Sequence, residues 1–213
     1  EATDVPRLRL TSLEPTDAEA LIPVFRHPAA AGRLARHLHL PLQSGCDATL
    51  ARMRRDYTTV EYAAIVQAVR AAVPGIGITA DVIVGFPGET DEEFAATCAF
   101  VEAMGFLAIH VFPYSPRPGT PALTMAGQVD PATRHARWEQ LTAIGARAHE
   151  AFATAVLGRE FPILWESGDA TGGSGLTDTY LRVRATRPVM PNTISPARLV
   201  AFDGAGLWAE PPG

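Results

Sequence analysis

The sequence predicts an α/β array of parallel strands followed by a small all-β barrel. Up to Gly158, short β-branched runs alternate with amphipathic helical patterns, as consecutive β-α-β units require. After Gly158 no helical period survives, and short strand-like runs are separated by Gly-, Ser- and Pro-rich turns. The 213 residues are 47% apolar and 19% charged, enough for one sizeable core and a small second one. The expected boundary divides residues 1–158 from 159–213.

Leu8–Leu13 is the first expected strand, followed by a short helix over Asp17–Phe25 that Pro23 bends or breaks. His37–Leu42 is the second strand. Thr58 and Glu61 form a capping box for a helix running to Val73, with Tyr62, Ile65, Val66 and Val69 on its apolar stripe. Ile76–Val84 is nearly all apolar, as in a strand covered on both faces. Thr90 and Glu93 cap the next helix, whose stripe includes Phe94, Cys98 and Val101 and which stops at Gly105. Leu107–Phe112 is the fourth strand. Asp130-Pro131 opens a long helix, with Trp138, Leu141, Gly145, Ala148, Phe152 and Val156 on its stripe. Phe161–Glu166, Tyr180–Arg184 and Arg198–Phe202 supply strands for a five-stranded barrel.

Several classes of function are excluded. No unbroken apolar run approaches the roughly 18 residues of a membrane span, and no secretory leader pattern is present. Cys46 and Cys98 are the two cysteines, and their separation rules out a disulfide framework or a cysteine-only metal cage. The expected setting is soluble and cytoplasmic. All 18 basic residues are Arg, a fork suited to phosphate. With 36 Ala, 18 Gly and 18 Pro, the same bias also fits a GC-rich genome. The sequence opens at Glu1 rather than Met, so a piece of a longer protein is expected.

In a parallel array the C-terminal strand ends converge on one face, where ligands bind. All four expected ends carry Pro and polar residues, and three of them Gly as well: Ser12–Pro15, Pro41–Cys46, Gly85–Glu89 and Pro113–Thr120. Together they predict a binding face for a polar ligand. His37, His39 and His110 read as hydrogen-bonded structural histidines, without a third ligand for a metal. Cys98 belongs to a core stripe, and Cys46 to a more exposed loop. In the barrel, alternation places Tyr180, Arg182 and Arg184 on one face, a stacking ring beside two arginine forks. Arg52, Arg54 and Arg55 add a basic cluster.

Taken in order, five segments resemble the radical S-adenosylmethionine (SAM) tRNA methylthiotransferases. They are LTSLEP at 10–15, HLPLQSGCD at 39–47, MRRDYT at 53–58, DVIVGFPGET at 81–90 and YSPRPGTP at 114–121. LTDTYLRV at 176–183 is similar to their C-terminal TRAM domain. HVFPYS at 110–115 leans towards the subgroup acting on N6-threonylcarbamoyladenosine rather than isopentenyladenosine.

The resemblance implies an incomplete partial (β/α)6 barrel, its last four strands, followed by TRAM. It implies methylthio transfer to C2 of a modified adenosine beside the tRNA anticodon, with SAM and [4Fe–4S] clusters as cofactors. Gln43 and Ser44 would line the ribose and methionine part of the SAM site. Val82, Val84 and Gly85, with the backbone around Pro113 and Tyr114, would flank its adenine. Tyr180, Arg182 and Arg184 would hold the tRNA. The three-cysteine loop that binds the radical cluster precedes the matching region in the family, so this chain alone is expected to be inactive and to offer no metal ligand. Cys46 stands where Ser is more usual, a neutral replacement. Missing strands would leave a bare sheet edge near Leu8–Leu13, which predicts self-association. The alternative function is a catalytically inactive RNA-binding module; another radical SAM chemistry or an unrelated α/β barrel is the third.

Overall fold

The computed structural model describes residues 4–11, 13–203 and 206–212. Ser12, part of the first expected strand and strand end, lies outside them. Three-residue 3-10 turns at Pro15–Asp17 and Glu19–Leu21 lead into α1 (Ile22–Arg26), short as Pro23 dictates. Strand β1 (His37–His39) pairs in parallel with β2 (Gly77–Val84), which pairs in parallel with β3 (Ala108–Pro113). Helices α2 (Asp47–Arg52), α3 (Thr59–Ala72), α4 (Asp91–Met104) and α5 (Pro131–Ala155) complete this half.

The capping chemistry reads as expected. The Thr58 hydroxyl accepts from the Glu61 N–H while the Glu61 carboxylate accepts from the Thr58 N–H at 2.7 Å; Thr90 and Glu93 repeat the pattern. Gly105 ends α4 in the left-handed region at φ +55°. Asp130 caps α5, with Pro131 in its first turn. Leu38, Ile78, Ala80, Val82 and Val84 point one way into a core shared with Tyr62, Val66 and Val101. Each large side chain buried there contributes about 1.5–3 kcal/mol. Helix α5 closes over β3 because Gly145 has no Cβ; one built there would stand 2.4 Å from Ile109 Cγ1.

One expected strand is corrected. The described residues of Leu8–Leu13 form no strand: Leu8 makes an isolated bridge to Leu34, and the Leu13 N–H reaches the His39 carbonyl at 3.4 Å. The parallel sheet therefore has three strands among the described residues, not four.

The C-terminal half is a closed five-stranded barrel, in the order β4 (Glu160–Asp169), β5 (Gly172–Thr177), β6 (Arg182–Ala185), β8 (Gly206–Glu210), β7 (Thr193–Asp203). Only β6 and β8 run parallel to each other. Trp165, Ile163, Leu181, Val183 and Leu199 fill it.

The barrel docks under the N-terminal ends of the parallel strands. Leu107, just before β3, belongs to the barrel's core. Arg36 pairs with Asp178 at 2.6 Å, and Arg7 donates to the carbonyls of Leu176 and Pro162. Gly77 is required here, since a Cβ would stand 2.3 Å from the Thr179 carbonyl oxygen.

Candidate functional site

The three parallel strands present two different faces. One is the core under α3 and α4. The other carries His37, His39, Thr79, Asp81, Ile83, His110 and Phe112, by alternation. Thr79 Oγ1 lies 3.0 Å from both His37 Nε2 and His39 Nδ1, and His39 Nε2 lies 3.3 Å from Asp81 Oδ2. Burial pushes the His37 ring down to about 3, with Arg9 and His39 adding to the shift, so it is neutral. One proton assignment satisfies all of these contacts. His37 Nε2–H donates to Thr79, Thr79 donates to His39 Nδ1, and His39 Nε2–H donates to Asp81. His37 and His39 are hydrogen-bonded to the protein, as their sequence context predicts, whereas His110 is exposed, has its ring 6.1 Å from that of His39 and makes no side-chain hydrogen bond among the described residues.

At the C-terminal rim, Gln43 sits in the left-handed region at φ +66°. Its N–H donates to the Asp81 carbonyl, and its own carbonyl accepts from Ile83 N–H, which ties the loop to β2. The Gln43 side chain makes no hydrogen bond among the described residues. The Tyr57 hydroxyl clamps the same loop from behind, 3.1 Å from the carbonyls of Pro41 and Leu42. Burial pushes that phenol up to about 12, so it remains a donor. A Cβ on Gly45 would stand 2.8 Å from Phe100 Cβ and 2.9 Å from Thr97 Cα, so the chain there passes where only glycine fits.

The loop after β2 is held by a buried ion pair. The Glu89 carboxylate accepts from Gly85 N–H at 2.6 Å and from Arg137 Nη1 at 2.8 Å; Arg137 Nη2 reaches Asp91 at 2.7 Å. Burial raises the Glu89 carboxyl against the opposing pull of Gly85 and Arg137. Gly85 has φ +70°, and a Cβ there would overlap the Arg134 side chain. Arg134 in turn donates to the Tyr114 carbonyl at 2.6 Å, joining the ends of β2 and β3. The Tyr114 hydroxyl is buried with no partner, and its ring meets Phe86 edge-on at 5.4 Å.

These positions sort the expected SAM-site residues. Gln43, Gly85, Pro113 and Tyr114 gather at the rim, with the Gln43 amide uncommitted among the described residues and the Tyr114 hydroxyl buried without a partner. The Ser44 hydroxyl, by contrast, is fully buried, 3.2 Å from Thr97 Oγ1, and accepts from Cys46 N–H. It shapes the loop from behind. Val82 and Val84 turn their side chains into the helical core, while the intervening Ile83 faces the opposite side of the sheet. Sequence reasoning missed Tyr57, Arg134 and Arg137. No group of three His, Cys, Asp or Glu side chains able to hold a metal occurs among the described residues, so an iron–sulfur cluster does not fit here.

The barrel face is also rearranged relative to expectation. Tyr180 lies before β6 at φ +76°, with its ring 4.5 Å from that of His37 and the Arg9 guanidinium 4.0 Å away. It is part of the junction between the halves, not of an outer face. Arg182 and Arg184 do share an exposed face. Arg182 pairs with Glu166 at 3.0 Å, while Arg184 stands 5.9 Å from the Trp208 ring, its register partner on β8. Gly172, Gly173, Ser174, Arg184 and Trp208 line a concavity of about 420 Å³. Trp208 was missed because its register against β6 is set by barrel closure, not by local pattern.

Comparisons with known proteins agree with this architecture. Residues 10–101 match the radical SAM superfamily model. The solved Escherichia coli coproporphyrinogen III oxidase, a radical SAM enzyme, superposes with a TM-score of 0.53 at 19% identity, covering 67% of this chain and 32% of that one. That likeness defines the fold: a partial radical SAM barrel. A Frankia alni tRNA-2-methylthio-N(6)-dimethylallyladenosine synthase is 43% identical over 96% of this chain and 39% of its own length. Its Frankia casuarinae counterpart is 44% identical over 76% of this chain and 30% of its own. The Bacillus subtilis threonylcarbamoyladenosine tRNA methylthiotransferase is 37% identical over 84% and 40%. The chain belongs to the tRNA methylthiotransferase family of radical SAM proteins. It spans 30 to 40% of the length of these relatives.

Proposed function

We infer that this chain is the part of a tRNA methylthiotransferase that forms one wall of the SAM site and grips the RNA. The reaction is transfer of a methylthio group to C2 of an adenosine beside the anticodon that already carries an N6 group. The supporting observation is the 43% identity to such an enzyme over 96% of the chain, which takes in both the rim and the barrel. Matched relatives extend well beyond the region this chain covers, so cluster-binding cysteines supplied from outside it fit the reading.

The Gln43 amide, the Tyr114 hydroxyl and the backbone of Val82–Gly85 would hold SAM, with Ile83 against its apolar parts. When bound, SAM supplies both the group that abstracts hydrogen and the methyl group. The protein's own residues fix the rim. Glu89–Arg137 sets the Gly85 turn, and Arg134 ties it to Tyr114. On the barrel, Arg184 and Trp208 offer a charge and a stacking surface for single-stranded RNA. Cytoplasmic location follows from a tRNA substrate; no helix among the described residues is long and apolar enough to cross a membrane.

Deleting the gene in its source organism and measuring tRNA nucleosides by mass spectrometry tests this reading. Loss of a 2-methylthio adenosine derivative, with its unmethylthiolated precursor accumulating, is expected. An unchanged nucleoside profile would overturn the enzymatic reading. Salt-sensitive RNA binding by the chain would then favour a binding module without chemistry.

A further inference from the structure

A cavity of about 390 Å³ opens at the rim beside the proposed SAM wall, sharing only Ile83 with it. Its walls are Ile83, Phe86, Pro121 and Met125, and its mouth carries Arg54 and Arg55. Arg52 lies alongside, and although its Nε is also buried without a partner, its charge is already neutralised by two terminal nitrogens on the Glu93 carboxylate, one of them also bonded to Thr49. Arg54 and Arg55 are different. Among the described residues neither guanidinium has a hydrogen-bond or ion-pair partner, and Arg55 Nε is buried without one. Arg54 sits at φ +58°, in the left-handed region that strains a residue with a side chain. A buried, unpaired donor of a charged group is unfavourable until an acceptor arrives. In a chain of net charge −5, two uncompensated arginines over an apolar cavity call for a ligand with an oxyanion on a flat or apolar body.

Resting on the tRNA reading, we propose that this cavity is a second recognition subsite for the substrate RNA, adjoining the SAM wall at Ile83 and distinct from the barrel face. Arg54 and Arg55 hold an oxyanion, and Phe86, Ile83 and Met125 pack against the body that carries it. Within a tRNA anticodon loop that oxyanion has two sources. One is the phosphate of a nucleotide neighbouring the target. The other is the carboxylate of a threonylcarbamoyl group on the target's N6, which a dimethylallyl group lacks. The second source would make this pocket the place where the two kinds of relative diverge.

The test uses the 213-residue chain and three anticodon stem-loops, with the target adenosine unmodified, N6-dimethylallylated or N6-threonylcarbamoylated. Affinity is read by fluorescence anisotropy at two salt concentrations for the wild type, Arg55→Gln and Arg55→Lys. A charge-assisted bidentate contact predicts that Arg55→Gln weakens binding about tenfold, with partial rescue by Lys. If phosphate is the source, all three stem-loops weaken alike and the salt slope drops by about one. If the carboxylate is the source, only the threonylcarbamoyl stem-loop weakens.

Equal binding of every stem-loop by wild type and Arg55→Gln overturns the proposal and leaves the RNA reading standing. Failure of the wild type to bind any stem-loop overturns the RNA reading. A direct probe covers that case: the ¹⁵N resonance of Arg55 Nε during titration with adenosine 5′-monophosphate. A saturable shift absent with adenosine keeps the oxyanion site, and no shift removes it. An unchanged melting temperature for Arg55→Gln confirms that the variant folds.

Discussion

Arginines stand at both faces where ligands are expected, but in opposite settings. At the rim, Arg137 is 6% exposed and locked onto Glu89, whose side chain has no exposed surface. On the barrel, Arg182 and Arg184 stand in solvent, one paired with an exposed Glu166 and one beside Trp208. The charge of Arg137 fixes the backbone of the rim, whereas the barrel arginines display theirs. Equal residue types therefore carry different consequences, and substitutions should separate them.

The largest expected effect is at the rim. Arg137→Met leaves Glu89 buried and unpaired, and removing one partner of a buried pair destabilises by about 3–5 kcal/mol. Urea denaturation should show this, with Glu89→Gln on top of Arg137→Met restoring part of the loss. If Arg137→Met proves neutral, the rim pair is no more structural than the barrel's. Next, Gly145→Ala presses a methyl group into Ile109 and should cost about 1–3 kcal/mol, relieved by Ile109→Val or Ile109→Ala.

A third prediction concerns pH. His37 is neutral in the folded protein, held down to about 3, whereas its unfolded value is near 6.5. Between those values the unfolded chain binds more protons, so His37's contribution is present above pH 6.5 and lost as pH falls towards 3. Stability measured across that window should fall less steeply for His37→Asn; a parallel profile would reject the assignment. Smaller effects belong to the barrel. Trp208→Ala should weaken single-stranded RNA binding by about 1–3 kcal/mol. Arg182→Ala removes an exposed pair, and stability should change by less than about 1 kcal/mol. Light scattering on the isolated chain tests the expected self-association; a concentration-independent monomer would discard it.

Much of the architecture was legible because it is written in local chemistry. Thr58 with Glu61, Thr90 with Glu93, and Asp130-Pro131 each announce a helix start within four residues. The apolar run before Gly85 announces a buried strand, and the loss of period after Gly158 announces the barrel. What stayed hidden depends on contacts distant in sequence. Six-residue α2 is too short to show a period. Leu8–Leu13 alternates like a strand, yet pairing needs a neighbour in register, and among its described residues only Leu8 makes a bridge. Ser44 looks like a ligand donor until Thr97, on α4, is seen to engage it. Tyr180 looks like the first residue of an alternating strand, but its positive φ turns it out of that register and against His37.

The junction beneath the parallel sheet makes β2 a ruler. Its first residue, Gly77, abuts the barrel at Thr179, and its last, Val84, accepts a hydrogen bond from Tyr114 at the rim. At roughly 3.3 Å per residue the strand holds these two points about 23 Å apart. Because Leu107 is packed in the barrel's core, the ruler cannot slide. An RNA gripped by the barrel would meet the rim at a set stride along its backbone, so the spacing between gripped and presented nucleotides becomes a property of one strand's length.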